Sequence, residues 1–222
     1  MTFGQMQALF WQRIDQAGSP DFTPTETDRL LNWAYDVWYL INRPKFDESQ
    51  RDTVNMTHLI RPFTFLNVLE ITVVGVGADI PNYRDLATLG AGYNVADCNG
   101  VVTTKFINVV PRSLSEVDTN RNDPFNKPTN AYPQYEQTHN GTYRLIRVHA
   151  TTNPIALQGT YFKVLQTIDA VGSPNTEFES QDYIARQVID IAKILAKGDV
   201  DDYAAVKNAV QESMLSLVGT QQ

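Results

Sequence analysis

The sequence predicts an α+β protein in which N- and C-terminal helices form a helical bundle and a small antiparallel β-sandwich or barrel is inserted between them. Three observations carry this. Residues 2–41 place apolar side chains at helical spacing; residues 66–168 are rich in Val, Ile, Thr and Tyr and punctuated by Gly, Pro and Asn; helical spacing returns after Gly172-Ser-Pro174. The segments are 1–60, an N-terminal helical hairpin; 61–172, the β module; and 173–222, helices packing with the first pair.

Residues 2–17 read as a helix with Phe3, Met6, Phe10, Ile14 and Ala17 on one face, ended by Gly18 with Pro20 just beyond. The next helix has a well-specified start. Thr23 is a good N-cap, Pro24 takes the first helical position, where its missing N–H costs nothing, and Glu26 closes a capping box. Leu30, Leu31, Ala34, Val37, Trp38 and Ile41 form a broad apolar stripe, and Trp33, Tyr35, Tyr39 and Leu40 lie outside it. A helix so apolar is either central to a domain or pressed against another subunit. The short connection between the two helices predicts an antiparallel hairpin, and Pro44 ends the second.

Leu66 to Val76 reads as a strand, ending at Gly75-Val-Gly77. Pro81, Gly90, Gly92 and Asn94 predict a loop over 78–99, with one helical turn around Tyr83 to Leu89. Asn99-Gly100 signals a hairpin into a strand over Val101 to Val110, stopped by Pro111. A short helix is expected over Arg112 to Asn122. Tyr135 to Thr138 and Tyr143 to His149 flank Asn140-Gly141, a pair suited to a tight type I′ turn. With Tyr161 to Ile168 these predict a three-stranded meander, and about five strands in all. Ser180 is placed to cap a helix with Ile184, Val188, Ile191 and Leu195 on one stripe and Gly198 as terminator. Asp199, Asp201 and Asp202 open a further helix carrying Tyr203, Val206, Val210, Met214 and Leu217.

The formal net charge of the 222-residue chain is −7 and no basic cluster appears, which argues against a nucleic-acid groove. Its one cysteine, Cys98, excludes an internal disulfide framework. No secretory signal and no membrane-spanning run is read. His58, His139 and His149 are a thin supply of acid–base groups, and His139 and His149 read as polar edge residues of a hairpin. Gly75-Val-Gly77 and Gly90-Ala-Gly92 lack the third glycine and lysine that phosphate cradling requires. No catalytic residue, metal or cofactor is assigned.

Aromatic residues are the remaining signal. Trp33 and Tyr39 are assigned to an interface and Trp38 to the core. Asp123-Pro-Phe-Asn-Lys-Pro128 reads either as a surface connection or as a rigid docking loop presenting Phe125 and Lys127.

The opening helix ending in Gly18-Ser-Pro-Asp-Phe22, then Glu26 and Asp28-Arg-Leu-Leu-Asn32 with Ala34, resembles the start of tailed-phage head-to-tail adaptor proteins, closest to the neck ring proteins of crAss-like phages. Asp123-Pro-Phe-Asn-Lys-Pro-Thr129 with Pro133 and Tyr135 resembles the stretch ahead of their β-hairpin, and Phe178-Glu-Ser-Gln-Asp182 resembles the approach to their closing helix. Many relatives carry Tyr-Ile-Lys with a proline soon after, where this chain has Tyr161-Phe-Lys163 and then Val164-Leu-Gln166, which leaves open which neck ring it would form. The resemblance implies a structural virion protein and not an enzyme. It implies a homo-oligomeric ring, usually twelvefold, at the head-tail junction, contacting the portal and other neck or tail proteins and letting DNA pass without gripping it. It also implies a C-terminal segment after about Tyr203, with Met214 and Leu217, that reaches a neighbour. Such a protein is made in the cytoplasm of the bacterial host and has no membrane partner. The alternative is a β-sandwich carbohydrate- or receptor-binding module of a phage tail, using Tyr132, Tyr135 and Tyr161.

Overall fold

A computed structural model describes residues 1–15, 22–43, 56–75, 77–96, 98–121, 123, 125–139 and 144–197. The elements in chain order are α1 Phe3–Asp15, α2 Pro24–Asn42, β1 Ile60–Leu66, β2 Glu70–Val74, β3 Tyr83–Ala96, β4 Val102–Asn108, β5 Val110–Pro111, α3 Leu114–Asn120, β6 Gln134–His139, β7 Arg144–His149, β8 Ala156–Lys163 and α4 Asp182–Lys197. The chain divides into two compact units, one of Met1–His58 with Leu165–Gln222 and one of Leu59–Val164.

In the first unit α1, α2 and α4 pack pairwise against one another. The start of α2 is as its residues dictate: Thr23 sits in extended geometry at the cap, its hydroxyl accepts from the Glu26 N–H at 3.3 Å, and the Glu26 carboxylate accepts from the Thr23 N–H at 2.8 Å. Leu31, Ala34, Val37, Trp38 and Ile41 are buried, and so are Tyr35 and Tyr39. Burial of each large apolar side chain of this kind contributes about 1.5–3 kcal/mol. Trp38 Nε1 donates to Gln187 Oε1 at 3.0 Å, and Arg13 pairs with Asp190, so α4 is held by polar as well as apolar contacts. The predicted α4 stripe of Ile184, Val188, Ile191 and Leu195 is buried throughout.

Ser180 is not the cap of α4. The Ile184 and Ala185 N–H groups donate to the carbonyl of Gln181, and Ser180 Oγ instead lies 3.4 Å from His58 Nδ1. Residues 165–178 stay with the helices because α2 holds them by side-chain bonds. Asn32 and the backbone of Ile168 exchange two hydrogen bonds at 2.7 and 2.8 Å, and the Val171 N–H donates to Asp28 at 3.1 Å. The expected helix after Asp199 lies outside the described residues.

The second unit holds two four-stranded sheets, ordered β1-β8-β3-β4 and β2-β7-β6-β5. They enclose one apolar core, to which β1 gives Phe63, β2 Ile71 and Val73, β3 Leu86, Leu89, Ala91 and Tyr93, β7 Ile146 and Val148, and β8 Leu157 and Tyr161. The fold is thus α+β as predicted, with eight strands rather than about five and with no closed barrel among the described residues. All strand pairs are antiparallel except β5 with β6.

Three strand expectations are corrected. The segment predicted as a loop, 78–99, contains the 14-residue strand β3. The expected meander does not form: β6 and β7 pair as predicted, but β8 runs over Ala156–Lys163 instead of Tyr161–Ile168 and lies between β1 and β3 in the other sheet. The pairing of His139 with Arg144 leaves four residues between β6 and β7 where a tight turn at Asn140-Gly141 would leave two; those four lie outside the described residues. Asn99-Gly100 does link β3 to β4, with Gly100 at φ 78°, a conformation that favours glycine.

Candidate docking surface

The β6–β7 register fixes a row of charges. Arg147 lies opposite Glu136 on one side and Glu70 of β2 on the other, so three side chains from three strands share one face of the sheet. The register of a two-residue turn would set Glu136 against Leu145 instead. Arg147 meets Glu70 at 2.7 Å and stands 3.8 Å from Glu136, while His149 Nε2 is 3.4 Å from the same Glu136 oxygen. Glu136 is only 1% exposed. The Glu70 carboxylate, hydrogen-bonded to Arg147, holds that guanidinium still more firmly protonated.

On this sheet packs α3, started by a second capping box between Ser113 and Glu116 and buried through Val117. The chain then forms a loop that is tied at several points. Asp123 accepts from the Phe125 N–H at 2.9 Å and from Asn126 Nδ2 at 2.7 Å, Gln134 Nε2 donates to the Asn126 carbonyl at 2.9 Å, and Asn130 bonds Thr152 twice. The hydrogen bond from Phe125 is the main cause that holds the Asp123 carboxyl below its ordinary range. Out of this fixed loop stand Phe125, 94% exposed, and Tyr132, 74% exposed.

Arg121, Lys127 and Pro128 from this segment, Leu69 and Glu70 from the β2 end, and Arg147 to His149 of β7 with the following Ala150 line a cleft of about 440 Å³. Lys127 has no acidic partner among the described residues. The arrangement places two exposed rings, Phe125 and Tyr132, and the Lys127 ammonium on the segment that borders this recess. Among the described residues, no group of three or more His, Cys, Asp or Glu is placed to hold a metal ion, and no helix is long and apolar enough to cross a membrane.

Compared with known protein families the chain matches no family model, and no curated protein matches it.

The sequence-derived interface residues fare differently. Phe125 and Lys127 are both exposed on the loop. Tyr39 is a correction: it is 3% exposed, because α2 buries more of its circumference than the stripe alone requires. Trp33 is half-buried. Tyr203, Met214 and Leu217 lie outside the described residues. Glu70, Glu136 and Arg147 were not singled out by sequence; their signal is the opposition of charges on neighbouring strands, readable only once the β6–β7 register is known.

Proposed function

We propose that this chain is a structural subunit of a tailed-phage neck, an adaptor that assembles as a ring between portal and tail and extends the DNA channel. The observation that carries the reading is Phe125: an aromatic ring left in solvent by a loop held through the Phe125 N–H, the Asn126 carbonyl and the Lys127 N–H suits docking against another protein. The adaptor resemblance includes the same loop, Asp123 to Thr129. In this reading the terminal helices form one bundle carrying the β unit as an insertion, which the mutual packing of α1, α2 and α4 supports. The ring has heterologous contacts, the partners are portal and neck or tail proteins, and the net charge of −7 suits a wall past which DNA slides.

The test is the native mass of the purified chain, alone and with its portal protein. Joining a portal-sized ring near one subunit to one supports the reading, and Phe125→Ala with Lys127→Glu should weaken that joining while leaving the fold intact. Indifference to portal overturns it. A second reading, a carbohydrate-binding module, is favoured by Tyr132, whose exposed ring beside the loop could stack on a sugar; glycan binding by the free chain, lost in Tyr132→Ala, would establish it.

A further inference from the structure

Sheet edges in natural proteins are usually blunted, because their open N–H and C=O groups accept any passing strand. Three of the four edges here are blunted. On β1 the Asn67 N–H donates to Ile155, which fixes the parity: odd residues turn their backbone groups to β8, and even ones, Pro62 among them, turn outward. Pro62 has no N–H to offer there. On β2 the outward groups of Thr72 are taken, its carbonyl by the Asp79 N–H at 2.7 Å and its N–H by the Asp79 carboxylate at 2.8 Å, and a bulge follows. The strand β5 has two residues, one of them Pro111.

The remaining edge, β4, carries one charged side chain, Lys105, but no proline, no bulge and no side chain capping its outward groups among the described residues. It is seven residues long, contains no proline, and pairs with β3 without a register shift. Its parity follows from the Val109 N–H donating to Leu89: odd residues face β3, so the backbone groups of Val102, Thr104 and Phe106 face outward. Val102 is 60% and Phe106 40% exposed. Their side chains and that of Thr104 share the sheet face away from Ala91 and Tyr93.

The run Val102-Thr-Thr-Lys-Phe106 is complementary to itself. We propose that a second copy of this chain pairs antiparallel with β4, with Thr104 on the two-fold axis, so that the β1-β8-β3-β4 sheet continues across a dimer. In that register Thr104 meets Thr104 of the second copy, Val102 meets Phe106 on both sides of the axis, and all these pairs fall on outward-facing backbone positions able to exchange two hydrogen bonds each. Lys105 faces Thr103 of the second copy, so the two ammonium groups are not directly opposed. Centring the axis on Lys105 would oppose them, and centring it on Thr103 would leave Phe106 without Val102. The occupant is a second copy because the strand supplies its own complement, and Pro62 bars the other edge of the same sheet from that role.

The contact is isologous, uses neither Phe125 nor Lys127, and is independent of the neck reading, whose ring needs heterologous contacts. Few residues are buried, so the dimer should be weak and concentration-dependent. Sedimentation over micromolar to millimolar protein should show monomer passing to dimer. In a Cys98→Ser background, Thr104→Cys should form a disulfide-linked dimer on mild oxidation, because directly paired residues fall within disulfide reach. Thr103→Cys, diagonal to its equivalent, should link far less. Thr104→Lys, at an exposed site whose N–H serves no bond among the described residues, should keep the circular dichroism of the parent and weaken the dimer at least tenfold. A monomer at all concentrations, linkage through Thr103 as efficient as through Thr104, or a dimer unaffected by Thr104→Lys would overturn the proposal. None of these readouts involves portal.

Discussion

The carbonyl oxygen of Thr88 stands where a β-carbon on Gly159 would be. The two residues belong to the central strands β3 and β8, whose register shifts between Leu86 and Thr88, and the Phe63 ring closes the same space at 2.9 Å. Gly159→Ala must therefore move backbone rather than a flexible side chain. We expect a loss of about 2–3 kcal/mol, in the range of overpacked cores, read as a lower urea midpoint with unchanged slope. A variant as stable as the parent would show that the two strands can separate without cost.

Removing either partner of the Glu70–Arg147 pair should give very different results. Glu70→Ala breaks the shortest ion pair of the row but leaves no buried charge alone, and should change stability by less than about 1 kcal/mol. Arg147→Ala removes the guanidinium 3.8 Å from the buried Glu136, leaving only His149 beside that side chain, and should destabilise by about 2 kcal/mol, as for a buried polar group that loses a neighbour. Equal effects, measured by denaturant unfolding, would mean that Glu136 does not depend on Arg147.

Asp28 predicts a pH dependence. It is buried on α2, and burial raises its carboxyl above the ordinary range, against the hydrogen bonds it accepts from the Val171 and Ala170 backbone. The folded chain then binds more protons than the unfolded chain between the unfolded value, about 3.9, and the raised folded value. Stability owed to this group is present below that window and is lost as pH rises through it. Asp28→Asn, which cannot ionise, should gain thermal midpoint relative to the parent as pH rises from about 4 to 7. A constant difference would show that Asp28 ionises as freely in the fold as in solution.

Thr23→Ala removes the oxygen that accepts the Glu26 N–H and should cost about 1 kcal/mol, or a fall of about 2–4 °C in thermal midpoint if that unit melts with the rest. Thr23→Ser should restore most of it.

What the sequence made legible was local. The helix α2 announced itself because its cap, proline and glutamate lie within four residues, and the α4 stripe because its spacing is unbroken. The strand β3 was hidden by its own devices. Gly90 and Gly92 read as loop residues, yet Gly92 is small because the Phe106 ring occupies its place, with a β-carbon 2.8 Å from it. Bulges between Tyr83 and Asp85 and between Leu86 and Thr88 break the period of two on which strand reading rests. Within β8, Gly159 is the point where the backbone of β3 approaches most closely. That Phe125 and Lys127 stand exposed on a surface loop was legible from its prolines and its polar neighbours. The cleft was not, because it brings together residues from 69, 121, 127 and 147 that no local pattern relates.

The pairing of α2 with α4 also sets a clock. A ribosome that has released α2 must still make every strand of the β unit before Ile184 to Leu195 appear, on the order of ten seconds at ordinary synthesis rates. For that interval Trp38, Tyr35 and the rest of the α2 face have no α4 to cover them, while the β unit has all its strands and can close first. Vectorial synthesis therefore lets the inner segment close before the outer one is complete, while α2 has α1 but not yet α4 to pack against.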